Sequence, residues 1–256
     1  LKNEKISELH LKKIINQSEY FNNHGEQFEI FNNITSYDID NNLYFNAPIG
    51  NYSDNIKINF YKIFIQKKYI ESFLSIVNKL KLNVENYIPS PLSSSLSTLT
   101  KDEKELGTIC INLGHSTSSI SIFENKKFIY GDTIGIGSNN VTLDIARGVS
   151  TTISSAERLK TLYGSLISSP SDDHEIIEIP IISGEQTVFK QISRSYLNSI
   201  IKPRIEETLE MLWQKIKDNN HSNRKFNNVV ITGGGAQLDN IEDYVGKIFA
   251  SGTRIA

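Results

Sequence analysis

Sulfur is nearly absent from this sequence of 256 residues, which has one cysteine and one methionine. The lone thiol, Cys110, excludes an intrachain disulfide and any cysteine metal framework, and its place mid-strand reads as small apolar filler. Histidine is also sparse. His10, His24, His174 and His221 are scattered without paired spacing, so no structural metal site is expected. No run of 18 apolar residues occurs, so no segment here is expected to cross a membrane as a helix. Neither sign of charge dominates: 27 Lys and Arg face 29 Asp and Glu, a net charge of −2. The basic residues are spread among the acids, which argues against a nucleic-acid-binding face. Serines are plentiful, but none lies in a nucleophile elbow, and no catalytic residue is singled out.

What the chain does have is glycine in particular places. Val229 to Leu238, VVITGGGAQL, is a β-branched run that breaks into Gly233, Gly234 and Gly235, followed by Ala236, Gln237 and an amphipathic segment. Without Cβ atoms the backbone can take positive φ and approach a flat ligand, while a following helix offers free N–H groups and the positive end of its dipole. Taken alone, the triple glycine is equally a tight strand-to-helix turn with no ligand.

A second glycine turn lies upstream in Cys110 to Ile120, CINLGHSTSSI. Thr108–Leu113 and Ser119–Phe123 have strand character, the latter alternating Ser and Ile, so Gly114 to Thr117 is expected to join them as a hairpin. Such a turn can aim backbone N–H groups and the Ser116 and Thr117 hydroxyls at phosphate oxygens, and it can equally be an ordinary polar hairpin. A third strand, Phe128 to Ile134, leads to Gly135 and Gly137 and then to a helix through Val141 and Ile145. A further helix carries Glu157 and Lys160 on one face, capped by Ser154 or Ser155. That pair is either a solvated ion pair or a ribose contact.

The order is strand, hairpin, strand, strand, glycine turn, helix, ExxK helix, then strand, triple glycine and helix. It is similar to the second half of the actin, Hsp70 and sugar-kinase ATPase core, and within it most closely resembles the bacterial cell-division FtsA family. ELGTICINLGHSTSSISIF, GSNNVTLDIARG, AERLKTLYGS, IIKPRIEE and VVITGGGAQLDNI carry the resemblance, which extends along the chain through LKLNVENYIPSPLSSSLSTLTKDEKELG. It implies an α/β, actin-like (ribonuclease H-like) ATPase fold: the second lobe, part of the first, and a small α+β insert. It implies ATP with Mg²⁺ as cofactors, held by Asn112, Gly114, His115, Ser116, Thr117, Gly137, Ser138, Asn139, Glu157, Lys160, Gly233, Gly234, Gly235 and Gln237. It further implies self-association into filaments, tethering of the FtsZ ring through its C-terminal tail, and recruitment of later division proteins through the insert. The expected place is the cytoplasmic face of the inner membrane at the division site. The membrane is reached through a C-terminal amphipathic helix outside this sequence, which reads as a fragment also lacking the N-terminal phosphate hairpin. An incomplete first lobe is expected to leave an exposed sheet edge.

Organisation follows from pattern and resemblance together. The length suits two to four compact units. Residues 1–65 are a small mixed unit with a helical start (Ile6 to Asn16) and strands at Phe28–Ile39, Asn42–Asn46 and Ile56–Ile65, matching the insert. Residues 66–104 complete the first lobe and cross between lobes: a helix from Gln66 to about Leu80, a strand from Leu82 to Ile88, a Ser-rich helix from Ser90, and a Thr100/Glu103 capping box. Residues 105–145 and 226–256 form the second-lobe core, and 146–225 its outer part, with a strand at Glu175–Ile182. In the outer part a helix from about Ser193 to Lys217 carries a continuous apolar stripe, and Pro203 is expected to kink it or mark a junction. Arg194 and Arg204 flank that proline, and the resemblance gives them, Arg204 first, the FtsZ contact.

Three departures from the family pattern bear on chemistry. The phosphate hairpin ordinarily reads DxGxGT, whereas Asn112 stands where the aspartate would be and His115 where a small residue is usual. Asn112 would hold Mg²⁺ only weakly, through water, because an amide oxygen is a poor ligand for a hard cation. His115 either crowds the phosphates or, protonated, pairs with them. Ser138 stands where many relatives have glycine. Nucleotide binding with slow or absent hydrolysis is the expectation, in a structural adaptor and at most a slow ATPase. The alternatives are a small-molecule kinase of the same superfamily and a pilus-assembly actin homologue.

Overall fold

A computed structural model describes residues 4–20, 25–183, 186–221, 224 and 226–256. His24 lies outside them. The chain folds as two units, residues 1–89 with 127–129, and residues 90–126 with 130–256.

The first unit runs β1 (Glu4–Lys5), α1 (Glu8–Tyr20), β2 (Gln27–Ile39), β3 (Asn42–Tyr44), β4 (Tyr52–Ser53), β5 (Ile56–Gln66) and α2 (Lys67–Lys79). Long strands β2 and β5 pair antiparallel, with β3 on the other side of β2, while β1 and β4 form a separate two-stranded ladder. Ile6, Leu11, Tyr37 and Ile39 make its buried core, with Ile34, Ile56 and Ile58 packed against them. From Leu82 to Pro89 there is no regular structure. The strand expected at Leu82–Ile88 is absent, and both of its terminal apolar residues are exposed. β-Branched and apolar content makes a strand only where another strand takes up its backbone groups.

The second unit continues with α3 (Ser90–Thr98), α4 (Lys101–Leu106), β6 (Thr108–Leu113), β7 (Ser118–Glu124), β8 (Lys127–Ile134, from Tyr130 onward), α5 (Ser138–Val149), α6 (Ile153–Tyr163), β9 (Ile176–Ser183), β10 (Gln186–Ser193), α7 (Arg194–Asp218), β11 (Asn228–Thr232), α8 (Ile241–Phe249) and β12 (Gly252–Ile255). Five strands form a mixed sheet in the order β12-β11-β6-β7-β8. The hairpin β6–β7 is antiparallel, and β6, β11 and β12 run parallel, with α8 as the crossover between the last two. Parallel strands need both faces covered. Accordingly Ile109, Ile111, Val229, Val230 and Ile231 are at most 1% exposed. One face of the hairpin meets α3, where Ser121 Oγ bonds Ser95 Oγ and Cys110 Sγ lies 3.5 Å from Thr98 Oγ1. Ile120 and Ile122 alternate to the opposite face.

The capping box at α4 is present, with Glu103 N–H donating to Thr100 Oγ1 and Thr100 N–H to Glu103 Oε2. At α6 the cap is Thr152 rather than Ser154 or Ser155: its Oγ1 accepts the Ser155 N–H at 3.1 Å. Both serines lie within the first helical turn, whereas Thr152 has the extended φ/ψ of an N-cap. Helix α7 is one 25-residue element that includes Pro203. Leu197, Ile201, Ile205, Leu209, Leu212 and Ile216 are all at most 5% exposed along it. Burial of that stripe on both sides of the proline outweighs the ~3 kcal/mol a mid-helix proline costs.

Candidate functional site

Three turns of the second unit meet at the carboxyl ends of β6 and β11, the place where open α/β sheets bind ligands. The first is the β6–β7 hairpin, closed by Gly114 N–H to Thr117 O at 3.1 Å. His115, Ser116 and Thr117 are exposed. Their three N–H groups have no acceptor among the described residues. The second turn leads into α5. A Cβ on Gly137 would lie 2.4 Å from His115 O and 2.7 Å from Gly114 O, so glycine is what lets this turn rest on the hairpin. The third is the triple glycine. Gly233 has φ +88°, and a Cβ there would lie 2.4 Å from Asn112 Oδ1 and 2.6 Å from Leu113 O. A Cβ on Gly235 would lie 2.8 Å from that of Leu113 and 3.5 Å from that of Ser138.

The start of α5 is spent on holding these turns together. Ser138 N–H donates to Gly114 O at 2.8 Å and Asn139 N–H to His115 O at 2.9 Å, while Gly137 N–H goes to Asn140 Oδ1 at 3.0 Å. Those amides, candidate phosphate donors by sequence, are thus consumed inside the protein. The donors left over lie on the other two turns. Besides the hairpin amides they are Gly234 and Gly235, which donate to nothing among the described residues, whereas Ala236 and Leu238 donate back into the turn. The triple glycine does not open directly onto a helix: Gly234–Gln237 is a single 3₁₀ turn, and α8 starts only at Ile241.

A cavity of about 290 Å³ opens beside these turns. Its polar wall comprises Ser138, Lys160, Thr161, Gly234, Gly235 and Gln237, and its apolar wall Val141, Ile205 and Leu238. A cavity with an apolar wall and a few polar groups at its side suits a heterocycle. Sequence reasoning missed the apolar wall, because Val141 and Ile205 sit at helical spacings that read equally as core.

Glu157 and Lys160 come together on α6 as expected, at 2.7 Å. Lys160 is 9% exposed, and its Nζ also donates to Thr142 Oγ1 at 2.8 Å and Ser138 O at 3.2 Å. All three ammonium protons are therefore used within the protein. Glu157 Oε2 accepts from Lys160 and from the Thr142 hydroxyl. Burial pushes the Glu157 carboxyl up; hydrogen bonds from Lys160 and Thr142, with the charges of Lys160 and His115, outweigh it and leave the pKa below its ordinary value. Glu157 is half-exposed, so its carboxylate is the member of this pair that can still reach a ligand hydroxyl.

Asn112, the residue before the last of β6, has its amide oxygen against Gly233. Among the described residues no group of three His, Cys, Asp or Glu could hold a metal ion. Mg²⁺ needs an oxygen set with carboxylates, and this donor set does not fit it as a protein-held cation. Arg194 and Arg204 lie apart from the cavity lining. Arg194 donates to Tyr163 O at 2.9 Å and pairs with Glu175 at 3.1 Å and Asp239 at 3.5 Å; Arg204 pairs with Asp144 at 2.5 Å and with Glu207.

Residues 109–256 match the family model described as "Cell division protein FtsA". The chain belongs to the FtsA family. A cell division protein FtsA of Agrobacterium fabrum is 34% identical over 222 residues, 86% of this chain and 50% of the relative. That of Rhizobium meliloti is 32% identical over the same length, and that of Escherichia coli 28% identical over 192 residues, 72% of this chain and 45% of the relative. The chain thus spans about half the length of the curated FtsA relatives it matches. Among solved structures, MreB5 of Spiroplasma citri bound to ADP superposes with a TM-score of 0.59 at 19% identity, over 75% of this chain and 61% of that one. The PilM-PilN type IV pilus biogenesis complex gives 0.59 at 12% identity, over 99% and 64%. The fold is the actin-like one that the sequence resemblance implied, and the FtsA family places the chain among bacterial cell-division proteins.

Proposed function

We propose that this chain is the nucleotide-binding half of an actin-like cell-division adaptor, which takes ATP at the junction of its three glycine turns. The observation that carries this reading is the pairing of five uncommitted backbone amides, on His115, Ser116, Thr117, Gly234 and Gly235, with an adjoining cavity that has an apolar wall. The amides suit phosphate oxygens, the cavity suits adenine, and the half-exposed carboxylate of Glu157 suits a ribose hydroxyl. A solved relative in fold, MreB5, is bound to ADP. Hydrolysis is slow or absent, because Asn112 supplies neither a general base nor a firm hold on a metal-bound water.

In the cell the whole protein self-associates and tethers the FtsZ ring to the cytoplasmic face of the inner membrane at the division site. Residues 1–65 serve recruitment of later division proteins. The FtsZ tail contact falls to Arg204 and Arg194. Both guanidiniums are already paired with acids, so a peptide carboxylate binds there by displacing Asp144, Glu207 or Glu175. Pull-down with an FtsZ tail peptide checks this: Arg204→Ala is expected to weaken capture, and undiminished capture assigns the contact elsewhere.

Calorimetric titration with ATP tests the nucleotide site. Binding is expected with little dependence on Mg²⁺, and Asn112→Asp is expected to make it Mg²⁺-dependent and several-fold tighter. Phosphate release at the rate of a sugar kinase would refute the adaptor reading.

A further inference from the structure

We propose that His115 acts as a proton-switched phosphate ligand, so that this chain binds nucleoside phosphates more tightly as pH falls through the imidazole range. The inference rests on the nucleotide reading above and adds a regulation to it.

The charge inventory of the site leads there. A nucleoside triphosphate brings several negative charges. The side chains of the three turns and the cavity wall, from Asn112 to Thr117, Gly137 to Asn139, and Gly233 to Leu238 with Val141, Lys160, Thr161 and Ile205, include two ionisable groups, His115 and Lys160. Helix α6 adds Glu157, and the lysine is neutralised by that glutamate with all its protons committed. Asn112 is neutral. Uncharged amides can orient phosphates, but a buried or half-buried anion also needs a counter-charge.

Geometry gives His115 a fixed place from which to supply it. Its carbonyl accepts the Asn139 N–H at 2.9 Å, and its backbone is pressed against Gly137, so the residue does not swing with a loose loop. It is exposed and precedes the uncommitted amides of Ser116 and Thr117. Its charge reaches the Glu157 carboxylate at the rim of the site. The charged group within its reach is Glu157 on α6, itself paired with Lys160, and neither the α5 start nor the 3₁₀ turn carries a charged side chain. A phosphate group against the imidazole favours the protonated ring, and by linkage the protonated ring favours the phosphate.

Binding of ATP and of adenosine to the full chain at pH 6 and pH 8, with a proton NMR titration of the His115 ring, tests this. ATP is expected to bind about tenfold tighter at pH 6 than at pH 8 beyond any change seen in His115→Gln, equivalent to a rise of one pKa unit for the ring. That comparison cancels ionisation of the terminal phosphate of ATP, which is common to both proteins. His115→Lys is expected to bind ATP tightly at both pH values. Adenosine is expected to leave the His115 titration unmoved. If the original chain and His115→Gln show the same pH dependence, or ATP leaves the ring titration unchanged, the switch is overturned while the nucleotide site stands. If neither ATP nor adenosine binds at either pH, the nucleotide reading fails, and the switch with it.

Discussion

Glu103 joins more of the molecule than its place in a six-residue helix suggests. Its Oε2 closes the cap of α4 on the Thr100 N–H, and its two oxygens take Arg254 Nε at 2.6 Å and Nη2 at 2.8 Å. Arg254 also donates to Thr98 O at 2.9 Å, so one carboxylate binds the edge strand β12 to the α3–α4 corner. The Arg254 hydrogen bonds hold the Glu103 pKa down at about 2 against its burial, with the Thr100 amide adding to them. A carboxylate whose folded pKa is depressed stabilises the fold above its unfolded value, and that stability drains away as pH falls towards the folded pKa. The window here is from about pH 4.5 down to about 2. The contribution at neutral pH is about 2 kcal/mol, discounted because the Arg254 side chain is 37% exposed. Urea unfolding at pH 7, 4.5 and 3 is expected to show Glu103→Gln less stable at pH 7 and losing less than the original chain below 4.5. Equal losses in both would assign the acid sensitivity to other groups.

At the scale of elements, α5 and α6 are locked by a single ammonium group. Lys160 reaches from α6 to the Ser138 carbonyl in the first turn of α5 and to the Thr142 hydroxyl one turn on. Because the same α5 start is bonded to the hairpin through Ser138 and Asn139, the lysine fixes the position of the phosphate-side turns at one remove. Lys160→Met keeps the length of the stem but takes the charged donor from Ser138 O and Glu157, leaving the Thr142 hydroxyl as their remaining side-chain donor, at a cost of about 1–3 kcal/mol. Urea unfolding should show that loss, and ATP affinity should fall with it; a fully stable variant that binds ATP normally would remove Lys160 from this role. The helix period of α7 was legible in the sequence because one-sided burial writes itself as a repeat, and the Ser/Ile alternation of β7 because its two faces meet different neighbours. The three glycine turns were legible for a different reason: only glycine fits where backbones touch, as Gly137 does on His115 and Gly233 on Asn112. Their mutual bonding was not. Nothing in GSNN says that its amides point at Gly114 and His115, since that depends on contacts between residues 24 apart in the chain. The apolar wall of Val141, Ile205 and Leu238 was hidden because a cavity lining and a core stripe use the same side chains. Leu82–Ile88 misled because its apolar residues have no strand beside them.

At the scale of the whole molecule, two helices with similar patterns have opposite fates. The apolar stripe of α7 is buried throughout, with Leu197, Ile201, Leu209, Leu212 and Ile216 at 0% exposure. In the first unit, α2 buries Ile70 but leaves Tyr69, Phe73, Ile76 and the adjoining Leu80 between 52% and 65% exposed. These recur at spacings of four, three and four, so they line one face, and Leu82 and Ile88 beyond the helix are exposed as well. A contiguous apolar strip of this kind is unusual on a free surface and drives association or dye binding. The second unit also exposes apolar residues, among them Leu106, Ile153 and Leu162, but not as a run along α7. The chain is therefore expected to enhance the fluorescence of anilinonaphthalene sulfonate and to sediment faster as its concentration rises. Replacing Phe73 by Glu and Ile76 by Lys together should reduce both signals. Because the two side chains stand more than half in solvent, the unfolding free energy should change by no more than about 0.5 kcal/mol per site. A large loss of stability in that double variant would mean that the α2 face is packed in solution, and unchanged dye binding would place the exposed apolar surface on another element.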